Sequence, residues 1–369
     1  MANSPSAVLD ATTALLAPLL NTLDALQFAG RHLHPPVLPT LVEHLEPLRD
    51  PLVTARGDFD AVNWPEHLTE FVTRLRESSD SALASLEGML GCTQEENPVF
   101  AAYRAMRKTT HARAALYPLS PVLPPISRFF MSAKTRGDSA ATTALTQRLQ
   151  GASNSVDSGC GVIHLRNDPA DRAQRGGASL YVPEYYTGDP LPLVVALHGG
   201  SGHGGDFVWS WLAAARSLGA IVLCPTSNDE TWSINDPERD HQQLCGLVAR
   251  TCDTYAIDPA KILLTGMSDG GTFTLLSGLQ EDSFATHLAP ISGSFHPLLL
   301  EVAEPGRIRD LPVYLVHGAL DWMFPVDSAR LAAQTLKGAG VQLTYVELDD
   351  LSHSFPTEQT EEVIAWVQG

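Results

Sequence analysis

The stretch from Ile262 to Phe273, with the sequence ILLTGMSDGGTF, contains residues that could perform nucleophilic catalysis. An apolar run precedes Gly266, Ser268 lies between this glycine and Gly270, and sequence typical of a helix follows. Gly-x-Ser-x-Gly between a strand and a helix predicts a nucleophile elbow, a strained turn that exposes the serine hydroxyl at its apex. The helix would also direct unpaired N–H groups at the reacting carbon, where they favour negative charge. A glycine-rich loop can contain the same pattern by chance, so the assignment depends on the rest of the chain.

Two further residues complete a possible catalytic triad, and each follows a different predicted strand. Asp321 comes after strand 312–316, and His353 comes after the last strand, 341–348. The chain order Ser, Asp, His is that of the α/β-hydrolase fold and differs from the orders in two unrelated serine hydrolase folds. We therefore predict Ser268 as nucleophile, His353 as general base and Asp321 as the residue that orients the histidine. The alternatives are a helix-capping role for Asp321 and an ordinary structural role for His353.

A glycine-rich segment, HGGSGHGG at 198–205, follows predicted strand 193–197. Its glycines satisfy the G-x-G-x-x-G pattern of dinucleotide-binding folds, but such folds also place an acidic residue at the end of the next strand. That strand instead ends in Leu-Cys-Pro-Thr, at 223–226. The segment therefore favours a loop in which a backbone N–H approaches an oxyanion, as in the HGGG-type loop of esterases. His198 and His203 lack a third ligand at a suitable spacing, so we expect no metal and no nucleotide or other cofactor.

Composition and charge exclude several classes of protein. The chain of 369 residues carries a formal net charge of −18, which argues against nucleic acid or an anionic membrane surface as the main partner. No segment approaches the roughly 18 continuous apolar residues that span a bilayer. The amino-terminal sequence lacks a basic region and is interrupted by Asp10 and Asp24, which predicts a helix rather than a signal peptide. Five cysteines without a C-x-x-C pattern indicate reduced thiols and a cytoplasmic location.

Charge and periodicity divide the chain into two parts. Residues 1–150 contain 13 Lys and Arg against 15 Asp and Glu, whereas residues 151–369 contain 11 against 27. Helical spacing of leucines predicts an all-α amino-terminal domain at 1–135, with a break or kink near Pro18. A segment rich in Ser, Thr, Ala and Gly predicts a linker at 136–160, with room for one short helix. Strand and helix patterns then alternate over 161–369, which predicts a mostly parallel sheet of about eight strands with helices on both faces.

Residues 160–369 resemble compact α/β-hydrolases, including phospholipase/carboxylesterase-type enzymes, polyhydroxybutyrate depolymerase-like proteins and feruloyl or acetylxylan esterases. The resemblance implies the same triad and an oxyanion hole made by the N–H groups of Gly200 and Asp269. Two departures stand out: Asp269 occupies a position that is often uncharged in related enzymes, and the first 150 residues show no such resemblance. The similar stretches are LHGG at 197–200, IDPAKILLTGMSDGG at 257–271, VHGALDWMFPV at 316–326 and SHSFP at 352–356.

The acidic residue beside the nucleophile needs a physical explanation, because a carboxylate would repel a developing oxyanion. We expect the Asp269 side chain to point away from the oxyanion and to interact with the first turn of the following helix. Negative charge there is favoured by about 0.3–1 kcal/mol. Asp269 is therefore assigned a backbone role only.

The sequence predicts a carboxylesterase that acts on short to medium acyl esters or aryl esters. A serine peptidase or amidase on the same fold is the second hypothesis, and a binding protein with an inert hydrolase fold is the third. Residues 293–311, where many related folds insert a lid, are too few for a cap domain. The amino-terminal helices are therefore predicted either to cover the site near Trp232, Trp322 and Phe355, three candidate substrate contacts, or to form a homo-oligomer interface.

Overall fold

The computed structural model of the chain describes residues 5–152, 159–166, 171 and 173–369. It divides into two compact units, Met1–Phe130 and Met131–Gly369. Within the described ranges, no helix is long and apolar enough to cross a membrane. The five cysteines form no disulfide bonds.

The first unit is a bundle of helices whose mutual packing relies on leucines and on small residues. Helix α5 (Pro98–Leu116) buries a row of alanines against helix α4 (Thr69–Gly91), and an added Cβ at Gly88 of α4 would lie 2.8 Å from the Cβ of Ala105. The two helix backbones therefore approach so closely that only small side chains fit between them. The helices are α1 (Pro5–Arg31), α2 (Leu38–Leu45), α3 (Arg49–Asp60), α4 (Thr69–Gly91), α5 (Pro98–Leu116) and α6 (Pro124–Phe129).

Helix α1 continues through Pro18, so a break near that residue is wrong, and a kink there stays a prediction. Proline removes one N–H and leaves the carbonyl four residues earlier, that of Ala14, without its usual partner. Ala14 is exposed, so water can bind this carbonyl. Leu15 and Leu19 on either side of the proline are fully buried, and this packing holds the helix together.

The second unit contains one sheet of eight strands in the order β1-β2-β4-β3-β5-β6-β7-β8. Strands β3 to β8 pair in parallel, and the β1–β2 and β2–β4 pairs are antiparallel. The strands are β1 (Gly161–Leu165), β2 (Ala178–Val182), β3 (Leu191–Leu197), β4 (Ile221–Pro225), β5 (Ile257–Met267), β6 (His287–Ile291), β7 (Pro312–Gly318) and β8 (Gln342–Leu348).

Nine described helices accompany this sheet. The amphipathic crossover helices α9, α10 and α14 bury their apolar faces, and helix α11 is buried along most of its length, which explains the alternation seen in the sequence. The helices are α7 (Ala133–Gly137), α8 (Ser139–Ala152), α9 (Gly204–Leu218), α10 (Pro237–Thr254), α11 (Asp269–Gly278), α12 (Leu298–Val302), α13 (Pro305–Ile308), α14 (Val326–Gly338) and α15 (Gln359–Gln368).

The sheet confirms the predicted α/β-hydrolase fold preceded by a helical region. The elbow strand β5 begins at Ile257, earlier than the predicted Ile262. Helix α8 lies in the stretch predicted as a linker, while residues 153–158 of that stretch fall outside the described residues. Because strand order reverses direction at β3, a crevice is expected at the carboxyl ends of β3 and β5, where the glycine loop and the elbow lie.

Candidate active site

The elbow at Ser268 combines a strained residue with very close backbone packing. Ser268 joins β5 to α11 with φ 57° and ψ −120°, a conformation that costs a non-glycine residue about 1–3 kcal/mol. An added Cβ at Gly266 would lie 2.4 Å from the Gly270 carbonyl oxygen, and one at Gly270 would lie 2.4 Å from the Leu197 carbonyl oxygen. Both positions must therefore be glycine, because no side chain fits there. The backbone strain of the turn lies in Ser268.

The three residues predicted as a triad form one hydrogen-bonded chain. His353 Nε2 lies 3.0 Å from Ser268 Oγ, and His353 Nδ1 lies 2.8 Å from Asp321 Oδ2. An ionised carboxylate only accepts hydrogen bonds, so Nδ1 carries the proton and Nε2 is free to accept the serine hydroxyl. Ser268 is 9% exposed, and Asp321 and His353 are buried. The arrangement has the connectivity of a serine nucleophile with its general base.

The turn after β7 holds Asp321 in an ionised state. Its Oδ1 accepts the N–H groups of Met323 at 3.0 Å and Phe324 at 2.8 Å. Burial acts to raise the pKa of the Asp321 carboxyl, but the hydrogen bonds from His353 and from the Phe324 N–H outweigh it and hold the pKa below its ordinary value. The carboxylate therefore stays charged through the neutral range and fixes the orientation of the imidazole.

His317 supports this turn, a role that the sequence reasoning missed. Its Nε2 lies 2.8 Å from the Phe324 carbonyl oxygen and 3.6 Å from Asp321 Oδ2. The Phe324 ring packs edge-on against His353 at 5.3 Å. Phe324 thus contacts Asp321 and His353, and the hydrogen bond from His317 to its carbonyl holds it in place. The sequence signal for this role is the His-Gly pair four residues before the aspartate, within the similar stretch at 316–326.

The glycine loop after β3 presents its backbone to Ser268. An added Cβ at Gly199 would lie 3.4 Å from Ser268 Cβ. The Gly199 carbonyl accepts the His198 Nδ1–H at 2.7 Å and the Gly202 N–H at 3.0 Å. The Gly199 carbonyl and the Gly200 N–H belong to the same trans peptide, in which C=O and N–H point in opposite directions. The two hydrogen bonds to the carbonyl therefore leave the Gly200 N–H pointing away from His198 Nδ1 and the Gly202 N–H. The loop therefore has the form needed for one donor of an oxyanion hole, with the Asp269 N–H at the start of α11 as the other.

A segment after β4, residues 227–232, holds the glycine loop in place. The Ser227 N–H donates to His198 Nε2 at 3.1 Å, and the Ser201 N–H donates to the Glu230 carbonyl at 2.8 Å. The Trp232 indole N–H donates to the His198 carbonyl at 2.8 Å. We call residues 227–232 the clamp segment. It contacts both ends of the turn that carries Gly200.

Trp232, one of the three aromatic residues predicted to contact substrate, is instead part of this support. It is 1% exposed and stacks on Phe273 with ring centroids 5.5 Å apart. The other two lie nearer solvent: Trp322 is 39% exposed beside Asp321, and Phe355 is partly buried against Phe207. Only Trp322 and Phe355 are retained as candidate substrate contacts.

Asp269 is the acidic residue in the first turn of α11, and its side chain also binds a residue outside that helix. Its Oδ2 accepts the Thr231 hydroxyl at 2.6 Å. An added Cβ at Gly200 would lie 2.8 Å from the same Oδ2. The carboxylate therefore lies beside the glycine loop, where Thr231 of the clamp segment binds it.

A family comparison covers the carboxyl-terminal part of this site. Residues 229–368 match the phospholipase/carboxylesterase family. The matched segment includes the triad residues and excludes the glycine loop at 198–205. The chain is 29% identical over 159 residues to acyl-protein thioesterase 1 from Gibberella zeae, a match that covers 42% of this chain and 65% of that protein.

Two solved structures are also similar to the chain. One is a thermostable esterase, with 24% identity and a TM-score of 0.45 over 56% of this chain and 62% of that chain. Another is a hyperthermophilic esterase from the archaeon Pyrobaculum calidifontis, with 19% identity and a TM-score of 0.45 over 67% and 98%. This chain spans less than two thirds of the length of the thioesterase and of the thermostable esterase.

Three observations indicate the same fold: the strand order, the family match, and the positions of Ser268, Asp321 and His353 after β5, β7 and β8. The carboxyl-terminal unit has the α/β-hydrolase fold. This confirms the resemblance to phospholipase/carboxylesterase-type proteins seen in the sequence. Within the described part of the chain, no group of three or more His, Cys, Asp and Glu side chains could hold a metal ion.

The α/β-hydrolase unit contains a second Ser-His-Asp set that lacks the features of a catalytic site. His241 Nδ1 lies 2.7 Å from Ser277 Oγ, and His241 Nε2 lies 3.1 Å from Asp282 Oδ1. Ser277 is 0% exposed inside α11, so no ester can reach its hydroxyl. The two sets therefore have similar hydrogen bonds. They differ in the serine, because Ser268 lies at a strained elbow and is partly accessible, whereas Ser277 is fully buried.

The first prediction concerns the clamp segment. Replacing Trp232 by Phe should lower the free energy of unfolding by about 1 kcal/mol more than replacing Trp211 by Phe. Both side chains are fully buried, but the Trp211 indole N–H has no hydrogen-bond partner in the part of the chain that the structure describes. The Trp232 variant thus loses a hydrogen bond to the His198 carbonyl, and the Trp211 variant loses only ring volume. Urea denaturation measures both, and equal losses would contradict the assigned role of the indole.

Proposed function

We propose that the protein hydrolyses carboxylic esters through an acyl-enzyme on Ser268. The observation that carries the proposal is the hydrogen-bonded chain from Asp321 through His353 to a strained serine at an elbow. The similar family and the named relatives are ester and thioester hydrolases, which supports the same chemistry. The proposed substrates are short to medium acyl esters or aryl esters, and the thioesterase relative adds thioesters to the substrates that deserve a test.

In the first half-reaction, Ser268 Oγ attacks the ester carbonyl carbon while His353 Nε2 takes the hydroxyl proton. The carbonyl π electrons move onto oxygen, and the N–H groups of Gly200 and Asp269 stabilise the resulting oxyanion. Collapse of this intermediate breaks the bond to the alkoxide leaving group, which receives the proton from His353. The products of this step are the free alcohol and the Ser268 acyl ester.

In the second half-reaction, water attacks the acyl ester while His353 again acts as base. The second oxyanion accepts hydrogen bonds from the same two N–H groups. When it collapses, the bond to Ser268 Oγ breaks, His353 returns the proton to this oxygen, and the carboxylic acid is released. Asp321 remains ionised and keeps His353 in the tautomer that this cycle requires. Each oxyanion donor is worth about 10²–10³ in rate, so the glycine loop belongs to the proposed catalytic machinery, and the clamp segment supports that loop from outside.

Two statements from the sequence stay predictions. One is a cytoplasmic location. The other is the role of the helical unit, either as a cap that narrows the range of esters or as a homo-oligomer interface.

The second prediction tests the nucleophile with a matched control. Ser268→Ala should lower kcat for p-nitrophenyl esters by several orders of magnitude, because no other group supplies the attacking oxygen. His353→Ala should be nearly as damaging, and Asp321→Asn somewhat less so. Ser277→Ala makes the same atomic change in the buried second set and should retain wild-type kcat. Near wild-type turnover by purified Ser268→Ala protein would overturn the proposal.

A panel of p-nitrophenyl esters of increasing chain length, with peptide p-nitroanilides beside them, defines the substrate class. Ester turnover with negligible anilide turnover is the expected result. Faster turnover of anilides would identify a peptidase or amidase instead. No turnover of any member, with the protein folded, would favour a binding protein.

The third prediction concerns pH. His353 must be neutral to accept a proton, and histidines commonly titrate between about pH 5 and 8. The depressed pKa of Asp321 keeps its carboxylate charged throughout this interval, so it adds no inflection there. We therefore expect kcat/KM for an uncharged ester to rise with pH through a single ionisation and then level off. A profile flat from about pH 5 to 8, with the fold intact by circular dichroism, would contradict His353 as base.

A further inference from the structure

The elbow places a negative charge beside the position where the proposed reaction develops another. Asp269 follows the nucleophile directly, and its N–H is one of the two proposed oxyanion donors. The other proposed donor is the N–H of Gly200. The Asp269 Oδ2 atom lies close to this residue, because a Cβ added to Gly200 would be only 2.8 Å from it. A carboxylate so close to both donors would raise the energy of the oxyanion if it turned toward it.

One hydrogen bond fixes the position of this carboxylate. The Thr231 hydroxyl donates to Asp269 Oδ2 at 2.6 Å, and both residues are partly buried. The short distance is typical of a strong bond from a hydroxyl to a charged acceptor. The bond holds the carboxylate against the clamp segment.

Thr231 is well placed to act as a fixed support. The residue before it accepts a hydrogen bond from the glycine loop, with 2.8 Å between the Glu230 carbonyl oxygen and the Ser201 nitrogen. The residue after it, Trp232, donates to the His198 carbonyl of the same loop at 2.8 Å. Thr231 is therefore held on both sides to the loop that carries Gly200, and it cannot easily follow a displaced carboxylate.

We propose that Thr231 is a positioning residue that keeps the Asp269 carboxylate turned away from the oxyanion. The inference rests on the proposed ester hydrolysis and explains how an acidic residue is tolerated next to the nucleophile. Because the oxyanion exists only along the reaction path, loss of the Thr231 hydroxyl should lower kcat and leave KM nearly unchanged. The effect should require the charge on Asp269.

The test is a double-mutant cycle on ester hydrolysis that compares wild type, Thr231→Val, Asp269→Asn and the double variant. Thr231→Val keeps the shape of the side chain and removes its hydroxyl. We expect it to lower kcat about tenfold, with KM changed less than about twofold, because it frees a charge beside an oxyanion site worth more than this in rate. In the Asp269→Asn background the same substitution should change kcat less than about twofold. Thr231→Ser retains the hydroxyl and should restore most of the activity.

The outcomes separate this inference from the proposed function. Wild-type protein that hydrolyses no ester overturns the proposed function itself. If wild type is active, an equal loss of kcat from Thr231→Val in both backgrounds overturns the positioning role, and so does a loss confined to KM. Thermal unfolding checks that the variants are folded, and Thr231→Ala replaces the valine variant in the same cycle if that variant does not fold.

Discussion

The candidate site depends on the close approach of three backbone segments around Ser268. An added Cβ at Gly270 would lie 2.4 Å from the Leu197 carbonyl oxygen at the end of β3, and one at Gly271 would lie 2.6 Å from the Ile291 carbonyl oxygen at the end of β6. No side chain fits at either position. This packing brings the glycine loop against the elbow. Ser268, with its positive φ of 57°, lies at the turn where these segments meet. The candidate triad and the two proposed oxyanion donors take their positions from this packing.

Around this contact, hydrogen bonds from His317 and Trp232 hold the loops that carry the candidate site residues. His317 anchors the turn that carries Asp321, and Trp232 anchors the loop that carries Gly200. Each makes its bond to a backbone carbonyl, so it fixes the path of a loop rather than one side chain. The comparison with the buried set around Ser277 shows why this matters. That set has similar hydrogen bonds, but its serine, Ser277, lies within the regular helix α11 and is fully buried, so substrate cannot reach it.

Much of this arrangement could be predicted from the sequence. The strands, the elbow and the order of Ser268, Asp321 and His353 follow from local patterns of apolar residues, glycines and chain order, and the structure brings those three residues together. The partners of Trp232 and Asp269 could not be predicted, because their hydrogen bonds join segments 34 and 38 positions apart in the chain. Propensity also failed at Pro18, where buried leucines on both sides outweigh the lost hydrogen bond.

Covalent labelling tests the central claim, that Ser268 is the nucleophile, most directly. A fluorophosphonate reacts with an activated serine and leaves a stable phosphonyl ester, which intact-protein and peptide mass spectrometry can locate. The account predicts one label per chain, on the peptide that contains Ser268, with ester hydrolysis lost in proportion to labelling. Full labelling at another residue, or undiminished ester hydrolysis when Ser268 is fully labelled, would contradict it.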